Sequence, residues 1–106
     1  MPTFKTIDKL NPPSLTDAPG AMGSEVNVAD YDDITVQFTG DFGGAVFDVV
    51  GRVTDSGTYV KLFQCPGPGQ YRVPISTMYI STQLVTTGNP PNPGDITGWV
   101  GGRSAS

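Results

Sequence analysis

Few groups in this chain are equipped for chemistry, and most of them stand alone. The densest acidic run is Asp30-Tyr31-Asp32-Asp33, with Asp41 a short way downstream. Clustered carboxylates suit hard cations such as calcium. The spacing departs from the D-x-[DN]-x-[DN]-G loop that wraps such an ion, so the expectation is a solvated turn before a strand, with no metal. Hydrolysis of a glycosidic bond requires two carboxyl groups facing each other across a cleft. The chain has Glu25 and nine aspartates, and nothing in their spacing selects a pair; Asp48 is expected mid-strand on an outward face. Cys65 sits between Gln64 and Pro66, without the cationic neighbour that would lower a thiol pKa. It reads as a small residue opening a turn. Histidine is absent, which removes Ser-His-Asp and Cys-His nucleophilic chemistry. The residues thus point away from an enzyme: no catalytic residue and no cofactor is assigned. Tyr71, Tyr79 and Trp99 remain as side chains for core packing, a protein interface or sugar stacking. Trp99, flanked by Gly98 and by Gly101-Gly102, is taken as a partner-binding candidate.

Composition narrows the partners. Six basic against ten acidic side chains leave a net charge of −4, which argues against a phosphate-rich nucleic acid. No apolar run approaches the length of a membrane span. The start, MPTFKTIDKL, lacks the apolar core of a signal peptide. A lone cysteine cannot form an internal disulfide, and no Asn-x-Ser/Thr sequon occurs. Synthesis and assembly in a reducing cytoplasm are expected.

The elements that must position these residues are short. Fourteen glycines and ten prolines among 106 residues are incompatible with long helices, since an interior Gly costs about 1 kcal/mol and Pro about 3. Residues 1–24 carry most of their apolar weight at Phe4, Ile7, Leu10 and Leu15, with no helical or strand period. They read as an extended N-terminal arm whose four apolar side chains are candidate anchors on a partner. From residue 25 to 106 the pattern is alternation. DITVQFTG turns Ile34, Val36 and Phe38 inward, and AVFDVVGRV turns Ala45, Phe47, Val49, Gly51 and Val53 inward. TYVKLFQ turns Val60 and Leu62 in. Further runs occur at EVNVA, QYRVPI, MYISTQLV and DITGWVG. Turns fall at Gly40–Gly44, Asp55–Gly57, Cys65–Gly69 and the GNPPNPG stretch from Gly88. Pro74 makes its run an edge strand or a bulge. The fold class is all-β: an antiparallel β-sandwich of about seven short strands with an N-terminal arm.

Residues Asp33 to Leu62, DITVQFTGDFGGAVFDVVGRVTDSGTYVKL, resemble small β-sandwich proteins of tailed bacteriophage particles. The matching positions are Val36, Gly40, Phe42, Gly44, Ala45, Val46, Val49 and Gly51, then Asp55, Gly57 and Tyr59 at a turn. Tyr59 stands where that pattern carries Trp. The resemblance implies a structural virion protein, most readily a capsid decoration (cement) protein on the outer surface of the shell. Its partner would be the major capsid protein. A single sandwich leaves strand edges open, closed symmetry is the usual solution, and a homotrimer at the three-fold positions of such a shell is expected. The alternative that the resemblance implies is a head-fibre, tail or baseplate module that contacts host surface glycans.

Overall fold

The computed structural model describes residues 4–54, 57–74, 77–89 and 96–104. Among these described residues eight strands form: β1 (Phe4–Lys9), β2 (Val26–Asn27), β3 (Tyr31–Thr39), β4 (Val46–Arg52), β5 (Val60–Cys65), β6 (Gly69–Arg72), β7 (Tyr79–Thr86) and β8 (Thr97–Ser104). They build two antiparallel four-stranded sheets, β1-β8-β3-β6 and β2-β7-β4-β5. The all-β sandwich reading holds. The eighth strand is β1, which comes from the segment expected to be an arm.

Alternation on β3 works as the period demands: Ile34, Val36 and Phe38 are buried, while Gln37 and Thr39 are exposed. Across the sandwich Phe38 meets Phe47 of β4 edge to face, with ring centres 4.8 Å apart. Phe42, from the β3–β4 connection, lies 5.1 Å from the Phe47 ring on another side. Those three rings join both sheets at the centre of one core that also holds Val28, Val36, Val49, Ile80, Leu84 and Val100. Gly40, Gly43 and Gly44 have positive φ, which lets this connection turn tightly enough to bury Phe42. It is no hairpin, since β3 and β4 lie in different sheets.

The N-terminal segment is a strap rather than a free arm. β1 pairs with β8 from Phe4↔Arg103 to Lys9↔Trp99. The Leu10 amide then donates to Gly98 O at 2.9 Å, and the chain crosses to the other sheet. Asn11 and Ser24 clasp each other: Asn11 N donates to Ser24 Oγ at 2.9 Å and Ser24 N to Asn11 O at 3.0 Å. Residues 20–23 run beside β7, with Gly20 N on Leu84 O, Leu84 N on Ala21 O and Gly23 N on Thr82 O. A Cβ on Gly23 would stand 2.2 Å from both Asn11 O and Thr82 Oγ1; only glycine fits there. Leu10 and Leu15 are 0% and 2% exposed. Both were expected to anchor a partner, and both are sealed in the core instead. The boundary at residue 24 accordingly separates nothing. A sandwich this small has too little interior to leave two leucines outside it.

Two further corrections concern the far end of the β4–β5 pair. Val60 and Val53, expected inside, are 65% and 64% exposed. β6 pairs only with Thr35–Phe38 of β3, and no described strand extends its cover toward the β4–β5 tip. Leu62 is half-buried and packs against the core. Pro74 follows β6, which is an edge strand, as its chemistry requires. Asp55 and Ser56 of one expected turn, and residues 90–94 of the GNPPNPG stretch, lie outside the described residues.

Candidate interaction site

The possible chemical groups are dispersed by the fold. Among the described residues no group of three His, Cys, Asp or Glu side chains could hold a metal ion. Asp33 occupies the irregularity of β3 between Asp32 and Thr35 with φ 53°. Its two oxygens receive Arg72 and Arg103, each at 3.2 Å, so this carboxylate ties three neighbouring strands together. Asp41 lies past the opposite end of β3, where its Oδ1 accepts the Gly43 amide at 2.9 Å. Asp48 faces Lys61 across the β4–β5 pair, Oδ1 to Nζ 3.7 Å. Glu25 meets Arg52. No two of these carboxyl groups share a cleft.

Cys65 is buried, and its Sγ donates to Gly67 O at 3.3 Å. Burial pushes the thiol pKa up, more than its hydrogen bonds with Tyr71 and Gly67 lower it. The thiolate a nucleophile requires is therefore disfavoured. Tyr71 donates its hydroxyl to the same Gly67 carbonyl at 2.7 Å and sets its ring 5.8 Å from Phe63. Burial, then the neighbouring Cys65, raises its pKa as well. Both residues close the β5–β6 corner.

Arg52 has a denser setting than anything the sequence marked. Its guanidinium lies 4.3 Å from the Tyr79 ring centre and 5.2 Å from that of Tyr59. Its Nε and Nη2 both donate to Glu25 Oε2, at 3.2 and 2.8 Å, and Nη1 reaches Thr54 O. The arginine side chain is only 12% exposed. A planar, always charged group is what this stacking demands. The cluster braces the outer face of its sheet, where Val50 alternates outward and is nonetheless buried. Arg52→Lys keeps the charge and loses the stacked plane; it is expected to cost about 1–2 kcal/mol, read as a lower urea midpoint with unchanged slope.

The outer face of the β1-β8-β3-β6 sheet is the site with adhesive chemistry. Strand register lays two rows across it. One runs Lys9, Trp99, Gln37, Gln70, and the other Thr6, Gly101, Thr35, Arg72. Trp99 is 39% exposed and Phe4 46%. The Phe4 ring lies over Gly101, where a Cβ would stand 3.0 Å from its Cζ. Lys9 holds its ammonium 5.4 Å from the Trp99 ring. The side chains of Thr6, Thr35, Gln37 and Gln70 border this surface and make no hydrogen bond among the described residues. Charge sits at the margins, where Arg72 and Arg103 are both held by Asp33. Of the five candidate anchors, the fold thus brings Phe4 and Trp99 to one exposed face. Ile7 is half-buried against the core beneath it. The role of Gly101 escaped sequence reasoning, because the ring it makes room for sits on the neighbouring strand β1, at the other end of the sequence, and leaves no local pattern.

The face therefore presents two aromatic rings and neutral polar side chains, with Lys9 and Arg72 at the ends of its rows. No protein-family model matches the chain, and no curated protein matches it. Among solved structures it is similar to the crystal structure of the SPBc2 prophage-derived protein YomS, with a TM-score of 0.68 at 12% identity. The match covers 98% of this chain and 96% of that one. The likeness thus extends over the whole fold, strap included.

Proposed function

We propose that this chain is a structural protein of a bacteriophage particle that docks through the outer face of the β1-β8-β3-β6 sheet. Within that reading it is a decoration protein on the outside of the capsid, assembled in the bacterial cytoplasm, with the major capsid protein as partner. The observation that carries it is the pairing of exposed Phe4 and Trp99 on one low-charge face of a sandwich similar throughout to a prophage-derived protein. Aromatic anchors ringed by neutral polar groups, with charges at the rim, are the usual makeup of a protein interface. Stabilisation would come from desolvating those rings against two neighbouring capsid subunits, which needs neither cofactor nor active site.

Trp99→Ala is expected to weaken binding to intact particles by about thirtyfold or more, the loss of a 2 kcal/mol hot spot. Phe4→Ala should act in the same direction, and both variants should melt close to wild type. Co-sedimentation with particles stripped of the protein measures this. Undiminished binding by the double variant would refute the docking face. The unengaged Gln37 and Gln70 beside Trp99 support a second reading, a head-fibre or tail module that stacks a host sugar on the indole. A glycan array on the wild-type protein separates the two.

A further inference from the structure

The chain has six cationic side chains, and four of them are matched within the fold. Glu25 holds Arg52, Asp48 faces Lys61, and Asp33 takes both Arg72 and Arg103. Lys5 and Lys9, both on β1, form no ion pair among the described residues. Each holds its ammonium near an aromatic ring instead. Lys5 lies 5.8 Å from the Tyr31 ring centre, and Lys9 lies 5.4 Å from that of Trp99. The irregularity of β1 between Thr6 and Asp8 puts the two lysines on opposite sides of the sheet. Lys5 pairs in register with Gly102, where a Cβ would point at Ile34 and Tyr31. Lys9 pairs with Trp99 on the outer face.

Only Lys9 therefore shares a surface with the docking indole. The adjacent Asp8 turns its Oδ1 to the Lys9 backbone amide, at 2.7 Å, and away from the ammonium. On the other side of Trp99 the row continues with Gln37 and Gln70, both neutral. No described carboxylate is thus in place to neutralise Lys9 once water leaves. A partner that covers the indole must strip water from an ammonium 5.4 Å from the ring centre. Desolvating a charge without a counter-charge is strongly unfavourable.

We infer that the protein surface docked on this face carries a carboxylate beside the Trp99 site, where it pairs with Lys9 as the indole is buried. The inference rests on the docking face proposed above and adds the chemistry of its partner. The indole fills an apolar site, and the ion pair beside it fixes orientation. A carboxylate fits better than a neutral sugar, because a hydroxyl accepts a hydrogen bond without compensating the charge. The chain carries −4 overall, so an acidic partner meets repulsion on most other approaches and is steered to this one.

Co-sedimentation with particles stripped of the protein, at low and at high salt, tests this. Lys9→Met keeps the length of the stem and removes the charge. At low salt it is expected to bind about tenfold more weakly than wild type, and its binding should respond little to salt. Lys5→Met, on the other side of the sheet, should bind as wild type does. Trp99→Ala should be weaker at every salt concentration and keep the wild-type salt dependence. Stripped particles whose carboxylates have been capped as neutral amides should bind wild type no better than untreated particles bind Lys9→Met. Undiminished binding by Lys9→Met, equal losses for both lysine variants, or wild-type binding untouched by capping would each overturn the inference while the docking face stands. Undiminished binding by Trp99→Ala would remove the docking face, and the inference with it.

Discussion

A protein that begins at Gly23 is expected to show no cooperative unfolding transition. Its removal of β1 strips the β8 edge of a six-residue partner. It also takes away Leu10 and Leu15, both fully interior. Emptying one buried leucine position costs about 2–5 kcal/mol, and a domain of this size is stable by only about 5–15. The lost hydrogen bonds along β7, from Gly20 and Ala21, come on top of that. Thermal scans by circular dichroism and amide dispersion by NMR read the result. A truncated protein that melts sharply near the full-length midpoint would mean that the strap is dispensable and the core closes without it.

The second large effect is expected at Phe47. Its ring is wholly buried and touches both Phe38 and Phe42, so it contacts the opposite sheet and the β3–β4 connection together. Phe47→Ala should cost about 3–5 kcal/mol through lost burial and an unfilled cavity. At about 4–8 °C per kcal/mol for a domain near this size, the melting temperature should fall by well over ten degrees. Phe47→Leu retains much of the volume and should cost less than half as much. Phe4→Ala, on the surface, is the control and should move the midpoint by no more than a few degrees. Equal midpoints for Phe47→Ala and Phe4→Ala would remove Phe47 from the centre of the core.

How much of this was legible depended on the range of the forces involved. Period-2 alternation reports burial directly, so the inward face of β3 and the centre of β4 were readable from Ile34, Val36, Phe38, Phe47 and Val49. Prolines and glycines likewise marked the corners. The strap was not readable, because its apolar residues follow no repeat: Leu10 and Leu15 are buried by partners such as Gly98 and Gly88, far away in the chain. Val60 alternated as a core residue should, yet its exposure is decided by the short reach of β6, a strand of the other sheet. The Arg52 cluster gathers Glu25, Tyr59 and Tyr79 from three separate segments, a juxtaposition that spacing alone does not encode. At the candidate face, Trp99 was singled out on its own merits. What makes it part of a surface is register with Gln37 and Lys9, which only the folded sheet supplies.

Among the described strands only β4 and β5 are both consecutive and neighbours in a sheet; the other consecutive pairs lie in different sheets. Such wiring has a kinetic meaning. Short-range pairing gives a folding chain early reward, whereas closing a long loop costs entropy before any contact repays it. Here a single hairpin can form locally, and the pairing of Phe4 with Arg103 must await nearly the whole chain. On a ribosome, β1 therefore emerges first and finds its place last. Until β8 arrives, that strand and the leucines behind it stay open to chaperones, or to the same segment of a neighbouring nascent chain.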